Sequence, residues 1–133
     1  MKNFSKVYRN QSTIIPKCIA KKKNIKNQEF VKWTINKKTN EIILETLFKE
    51  EINPNNIDNI IKTDKHVIIY RNIYQKKHLI LPVEVEQALK FDLKIHLLKW
   101  SIKDDKIKIE KIRKINLQNI SGILKQENKQ VKK

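Results

Sequence analysis

Laid over itself at an offset of 66 residues, the chain matches Pro16 with Pro82, and in register with that pair it matches Val7 with Ile73, Tyr8 with Tyr74, Ile14 with Ile80, Ile15 with Leu81, Ile19 with Val85 and Ile25 with Phe91. One extra residue in the second copy then sets Val31 on Leu98, Trp33 on Trp100 and Ile35 on Ile102. A turn two residues shorter brings Ile42 onto Ile107, Leu44 onto Ile109 and Glu45 onto Glu110. The two tryptophans are the only ones in the chain. Matching isoleucines mean little in so Ile-rich a sequence, but Tyr, Pro and Trp in one shared order mean duplication. The length differences fall in turn-like segments, where a folded repeat tolerates them. A chain of 133 residues is small for two separate cores, so two copies of this unit are expected to share one body.

Each copy reads the same way locally. Residues 12–15 and 78–81 are short apolar stretches closed by a proline. Proline suits the first turn of a helix, where its missing N–H has no partner to lose. Short helices are predicted at 17–23 and 83–89, with Ile19 and Val85 on their apolar stripes. Val31, Trp33 and Ile35 then alternate with polar residues, as do Leu98, Trp100 and Ile102, and a period of two means strand. The polar turns NKKTNE and KDDK lead into EIILE and IKIE, giving a hairpin with one buried face in each copy. By this alternation Trp33 and Trp100 are core residues rather than base-stacking platforms.

The chain accordingly divides into repeat 1 (residues 1–45), a connector (46–66), repeat 2 (67–111) and a basic C-terminal tail (112–133). In the connector, a helical turn or two is expected around Ile57 to Ile61. The tail carries the only glycine, Gly122, and is expected to be partly helical or disordered.

Lysine and arginine outnumber acids by 30 to 14, a formal charge of +16, which points to a polyanionic partner. An AT-rich coding bias also enriches Lys, Ile and Asn, so charge alone does not single out nucleic acid. The single cysteine, Cys18, excludes an intrachain disulfide or a Cys-rich zinc cluster. No apolar run approaches the roughly 20 residues of a membrane span and the N-terminus lacks a signal-peptide core, so a cytoplasmic protein with no membrane partner is expected. His66, His78 and His96 lack metal-ligand spacing, Cys18 stands beside no obvious base, and one glycine cannot build a phosphate loop. No enzyme, metal or cofactor is expected.

The order strand, Ile-Pro, short helix, strand, turn, strand resembles the AbrB, SpoVT and MazE group of swapped-hairpin regulators and antitoxins. It stands here as QSTIIPKCIAKKKNIKNQEFVKWTI and, more loosely, as KKHLILPVEVEQALKFDLKIHLLKWSI. The resemblance covers about two thirds of the chain. It implies a mainly β fold with short helices, a swapped-hairpin AbrB-like β-barrel formed by the two tandem repeats as an intrachain pseudo-dimer. It also implies a DNA face built from the loop and the start of the helix. Two departures stand out. The loop glycine of the group is replaced by Gln11 and Lys77, and the helix-ending glycine by Asn24 and Lys90; lysine pays a cost in a left-handed conformation that asparagine bears more easily.

The implied DNA-binding residues are Lys6, Arg9, Asn10, Gln11, Ser12, Lys17, Lys21 and Lys22 in repeat 1, and Arg71, Lys76, Lys77 and His78 in repeat 2. Lysines neutralise phosphates, whereas Arg, Asn and Gln can also read base edges. Arg9 is favoured for planar, bidentate recognition. Repeat 1 holds eleven basic and three acidic residues, repeat 2 ten and six, and the AKKK of the first helix meets EQAL in the second. Repeat 1 is therefore expected to dominate a double-stranded DNA contact, as in a transcriptional regulator. The alternatives are an antitoxin-like or adaptor module gripping a protein through the connector or tail, and an RNA-binding protein. A monomeric pseudo-dimer or a higher homo-oligomer fits either.

Overall fold

The computed structural model describes residues 3–25, 28–57 and 59–114. The chain is mainly β with two short helices: β1 (Phe4–Ser5), β2 (Ser12–Ile14), α1 (Lys17–Lys22), β3 (Phe30–Asn36), β4 (Ile42–Leu47), β5 (Ile60–Lys62), β6 (His66–Asn72), β7 (His78–Ile80), α2 (Val83–Leu89), β8 (His96–Lys103) and β9 (Lys106–Arg113). Pro16 and Pro82 directly precede the helices, in the extended conformation that hands the chain from strand to helix. Both helices end alike. The Ile25 N–H bonds the Ala20 carbonyl at 2.8 Å and the Phe91 N–H bonds that of Glu86 at 3.0 Å, around left-handed Asn24 (φ 56°) and Lys90 (φ 52°). These are the two positions where glycine is replaced, and the bond pattern is the one that normally recruits glycine there.

Seven strands form one antiparallel sheet in the order β1-β8-β9-β4-β3-β6-β5, while β2 and β7 form a separate two-stranded ribbon. The order reads the same from both ends once repeat-related strands are exchanged, apart from the added β5. Register obeys the same rule. Trp33 stands opposite Leu44 as Trp100 stands opposite Ile109, and Val31 opposite Arg71 as Leu98 opposite Ser5. At the centre, Ile42 faces Ile109 and Leu44 faces Ile107 across β4 and β9, so the two hairpins meet about a local two-fold through Ile43 and Lys108. The outer strands are exchanged: β1 of the first copy pairs with β8 of the second, and β6 of the second with β3 of the first.

The core lies between the inner face of the sheet and the ribbon with its helices. Val31, Trp33, Ile35, Ile42, Leu44, Leu98, Trp100, Ile107 and Ile109 line the sheet side, closed over by Ile15, Ile19, Leu79, Leu81 and Val85. Both tryptophans are fully buried, each withdrawing about 150–250 Å² from water. They are therefore core residues, as their alternation with polar neighbours requires.

Three features differ from the sequence reading. The strands close no barrel among the described residues: β1 and β5 are open edges, and β2 and β7, three residues each, pair only with one another. Strands this short offer too few ladder bonds to join the ribbon to both ends of the sheet. The connector carries its helical turns earlier than expected, as 3-10 turns at Lys49–Glu51 and Pro54–Asn56, whereas Ile60–Lys62 is a strand on β6. There Ile61 pairs with Ile68, and β-branched residues at a sheet edge gain more as strand than as an isolated turn. Finally, β9 runs to Arg113, into the segment assigned to the tail; residues 115–133 lie outside the described residues. No helix among the described residues is long and apolar enough to cross a membrane.

Candidate nucleic-acid interface

The ribbon decides where the candidate DNA-binding residues meet. Ser12 stands opposite Ile80, Thr13 opposite Leu79 and Ile14 opposite His78. The pairing is prolonged at each end by one bond, Ile15 N–H to the Lys77 carbonyl at 2.9 Å and Leu81 N–H to the Gln11 carbonyl at 2.8 Å. Because the strands are antiparallel, the turn that precedes each one lies at the end of its partner, where the partner's helix begins. The turn at 74–77 thus abuts the start of α1, and the turn at 8–11 abuts α2. The second contact includes a side chain: Gln11 Nε2 lies 3.4 Å from both carboxylate oxygens of Glu86.

This exchange redistributes the charge. Lys17, Lys21 and Lys22 on α1 are exposed, as are Lys76 and Lys77 in the adjoining turn, and neither segment contains an acid. The opposite unit combines exposed Arg9 with Glu84 and Glu86 of α2. The exposed lysines of α1 therefore stand beside lysines of the other repeat, whereas the sequence reading grouped each loop with its own helix. Antiparallel pairing across the ribbon is the physical reason.

The two turns differ in construction. In the first, Gln11 alone is left-handed (φ 66°), and Asn10 Oδ1 accepts from the Ser12 N–H at 3.1 Å and the Ser12 hydroxyl at 2.6 Å. The acceptor side of Asn10, the hydroxyl hydrogen of Ser12 and the amide of Gln11 are thus engaged within the protein, and Arg9 is the exposed cation of this turn. In the second, Gln75 (φ 51°) and Lys76 (φ 66°) are both left-handed, the pattern of a type I′ turn. The left-handed site expected at Lys77 has moved back along the chain, because this turn is built differently from the first.

The remaining candidates lie at the margins. Lys6 is exposed with its ammonium 5.5 Å from the centroid of Tyr8. His78 is half-buried on β7. Arg71 is half-buried on β6 opposite the fully buried Val31, and its Nη1 donates to the Tyr70 carbonyl at 3.0 Å, so it belongs to the sheet and not to either turn. Lys23, which follows α1, reaches across to Asp105 of the β8–β9 turn at 3.0 Å.

Sequence reasoning missed one buried arrangement. Trp100 Nε1 donates to Ser5 Oγ at 2.8 Å, and the Thr13 hydroxyl lies 2.8 Å from both Ser5 Oγ and the Lys6 carbonyl. The repeat places Arg71 and Leu79 at the positions of Ser5 and Thr13, and Trp33 Nε1 is buried without a partner among the described residues. The signal was present in the alignment, as two polar residues in one copy replaced by a donor-only and an apolar residue in the other. No family model, curated protein or solved structure matches the chain, so the resemblance to swapped-hairpin regulators rests on its own residues.

Proposed function

We propose that this chain is a double-stranded DNA-binding protein of the transcription-regulator kind, an intrachain pseudo-dimer of two AbrB-like swapped-hairpin repeats whose barrel is left open. Its principal duplex contact is the unit made by α1 and the 74–77 turn. The observation that carries the reading is the gathering of Lys17, Lys21, Lys22, Lys76 and Lys77 on two adjoining segments without an acid between them. Five neighbouring exposed ammonium groups suit a phosphate backbone, whose counterions they release on binding. The local two-fold supports duplex over single strands, since a two-fold protein matches the two-fold of a duplex site.

Anisotropy titrations of labelled random duplexes against salt test this. Log affinity should fall linearly with log salt, with a slope of about −0.9 per phosphate contacted. The absence of duplex binding at low ionic strength would sink the reading, and preferential competition by structured RNA would replace it with an RNA-binding one.

A further inference from the structure

The sheet is symmetric but for one strand. The outer edge of β6 is covered by β5, whereas β1, which occupies the place of β6 at the other end, has nothing on its outer edge among the described residues. The stretch that delivers β5 reads Ile-Asn-x-x-Asn-Ile-x-x-Ile-Ile-Lys at 52–62. After β9 the chain reads Ile-Asn-x-x-Asn-Ile-x-x-Ile-Leu-Lys at 115–125. We infer that the open edge of β1 is the docking site of residues 115–125 of the same chain, added as β5 is added to β6.

The shared residues are the ones the fold uses in the first copy. Ile52 is buried, and Asn53 Oδ1 accepts from the Asn55 N–H at 3.0 Å to cap the 3-10 turn. Ile57 forms a bridge to Tyr70, and Ile60 to Lys62 pair with Ile69 to Val67. Transferred by the repeat, Ile123 comes opposite Asn3 and Ile120 beside the half-buried Phe4. Asn3 takes the place of Ile69: its carbonyl accepts the Trp100 N–H at 2.8 Å, and Ile69 stands opposite Trp33.

Length permits the connection. Residues 48–59 carry the chain from β4 past β3 and β6 to β5. Residues 114–122 must pass β8 and β1 to the place beyond, three strand spacings of about 5 Å each, and nine residues reach about 30 Å when extended. A tether this short keeps the segment at millimolar effective concentration, which favours the same chain over a second copy.

The full chain carrying Cys18→Ser tests the register by disulfide trapping. Asn3→Cys with Ile123→Cys should cross-link within a monomer, and Asn3→Cys with Leu124→Cys, whose side chain falls on the opposite face, should not. Cross-linked dimers alone, or equal trapping of both pairs, would overturn the inference. Hydrogen exchange on the unmodified chain guards against a folding failure of the variants. Amides within 115–125 should exchange at least tenfold slower than in a free peptide, and Ile120→Asp with Ile123→Asp should release them together with Phe4 and Ser5 while β3 and β8 stay protected. Peptide-like exchange at 115–125 in the unmodified chain rejects the docking outright.

Discussion

Trp33 and Trp100 hold equivalent places in equivalent hairpins, yet only one is satisfied. Trp100 donates to Ser5, which is linked in turn to Thr13; the repeat puts Arg71 and Leu79 at the corresponding positions for Trp33, whose N–H has no partner among the described residues. The same asymmetry appears on the surface, where α1 presents lysines and α2 presents Glu84 and Glu86 at the partner turn. The two copies keep one backbone register, while the side chains at Ser5 and Arg71 and at Thr13 and Leu79 differ in kind. The shared core tolerated a buried unpaired donor in one half, at a cost of about 1–3 kcal/mol, because the other contacts of the hairpin were retained.

The surface comparison yields the largest expected effect. Replacing Lys17, Lys21 and Lys22 together by Gln should lower the salt slope of duplex binding by about 3 and the affinity by about 10²–10³-fold at 0.1 M salt. Glu84→Gln with Glu86→Gln should instead raise affinity, by less than about tenfold. Equal and opposite effects in the two units would erase the distinction between them.

The buried comparison comes next. Trp100→Phe should cost about 1–3 kcal/mol more than Trp33→Phe in denaturant unfolding, because only the first breaks a made hydrogen bond. In an Arg71→Ser background, where Trp33 gains the acceptor that Trp100 already has, the two costs should converge; a double-mutant cycle with no coupling between residues 33 and 71 would show that the unpaired N–H is not the cause.

A smaller effect is expected at the helix ends. Lys90→Gly should stabilise by about 1 kcal/mol and Asn24→Gly by less, since asparagine already tolerates the left-handed conformation. Melting temperatures of the two variants give the comparison directly.

The smallest effect is on pH dependence and is read at His96, in the second copy. His96 is buried, its Nδ1 accepts the Asp92 N–H at 2.9 Å, and burial together with the Lys111 charge holds its imidazole below the ordinary value near 6.5. The unfolded chain therefore binds this proton first. Stability is full above about pH 6.5 and declines as pH falls toward the folded value, below which this group removes no more. His96→Gln should flatten that part of the profile in urea titrations.

Much of this fold is legible from periodicity. The alternation about Trp33 and Trp100, the Ile-Pro and Leu-Pro strand ends and the polar turns place the hairpins and helices, because a strand with one buried face must alternate. The connector misled, since Ile57 to Ile61 has no decisive period and only pairing with β6 makes Ile60–Lys62 a strand. Of the candidate site, the identities of the lysines were readable but their grouping was not: Lys77 meets the start of α1 through a backbone bond to Ile15, 62 positions away in sequence. Arg71 looked like a surface cation and lies on the sheet opposite Val31.

By itself the sequence determined that two related hairpin units share one core, that the tryptophans are inside, and that the surface is strongly positive. Those properties follow from local pattern and composition, which each segment carries wherever it is placed. Only the tertiary structure decided that the outer strands are exchanged, that the ribbon sets each turn against the other repeat's helix, and that one tryptophan has no acceptor among the described residues. These depend on which strand edges pair, a choice among near-identical copies that is made by register and burial across the whole sheet.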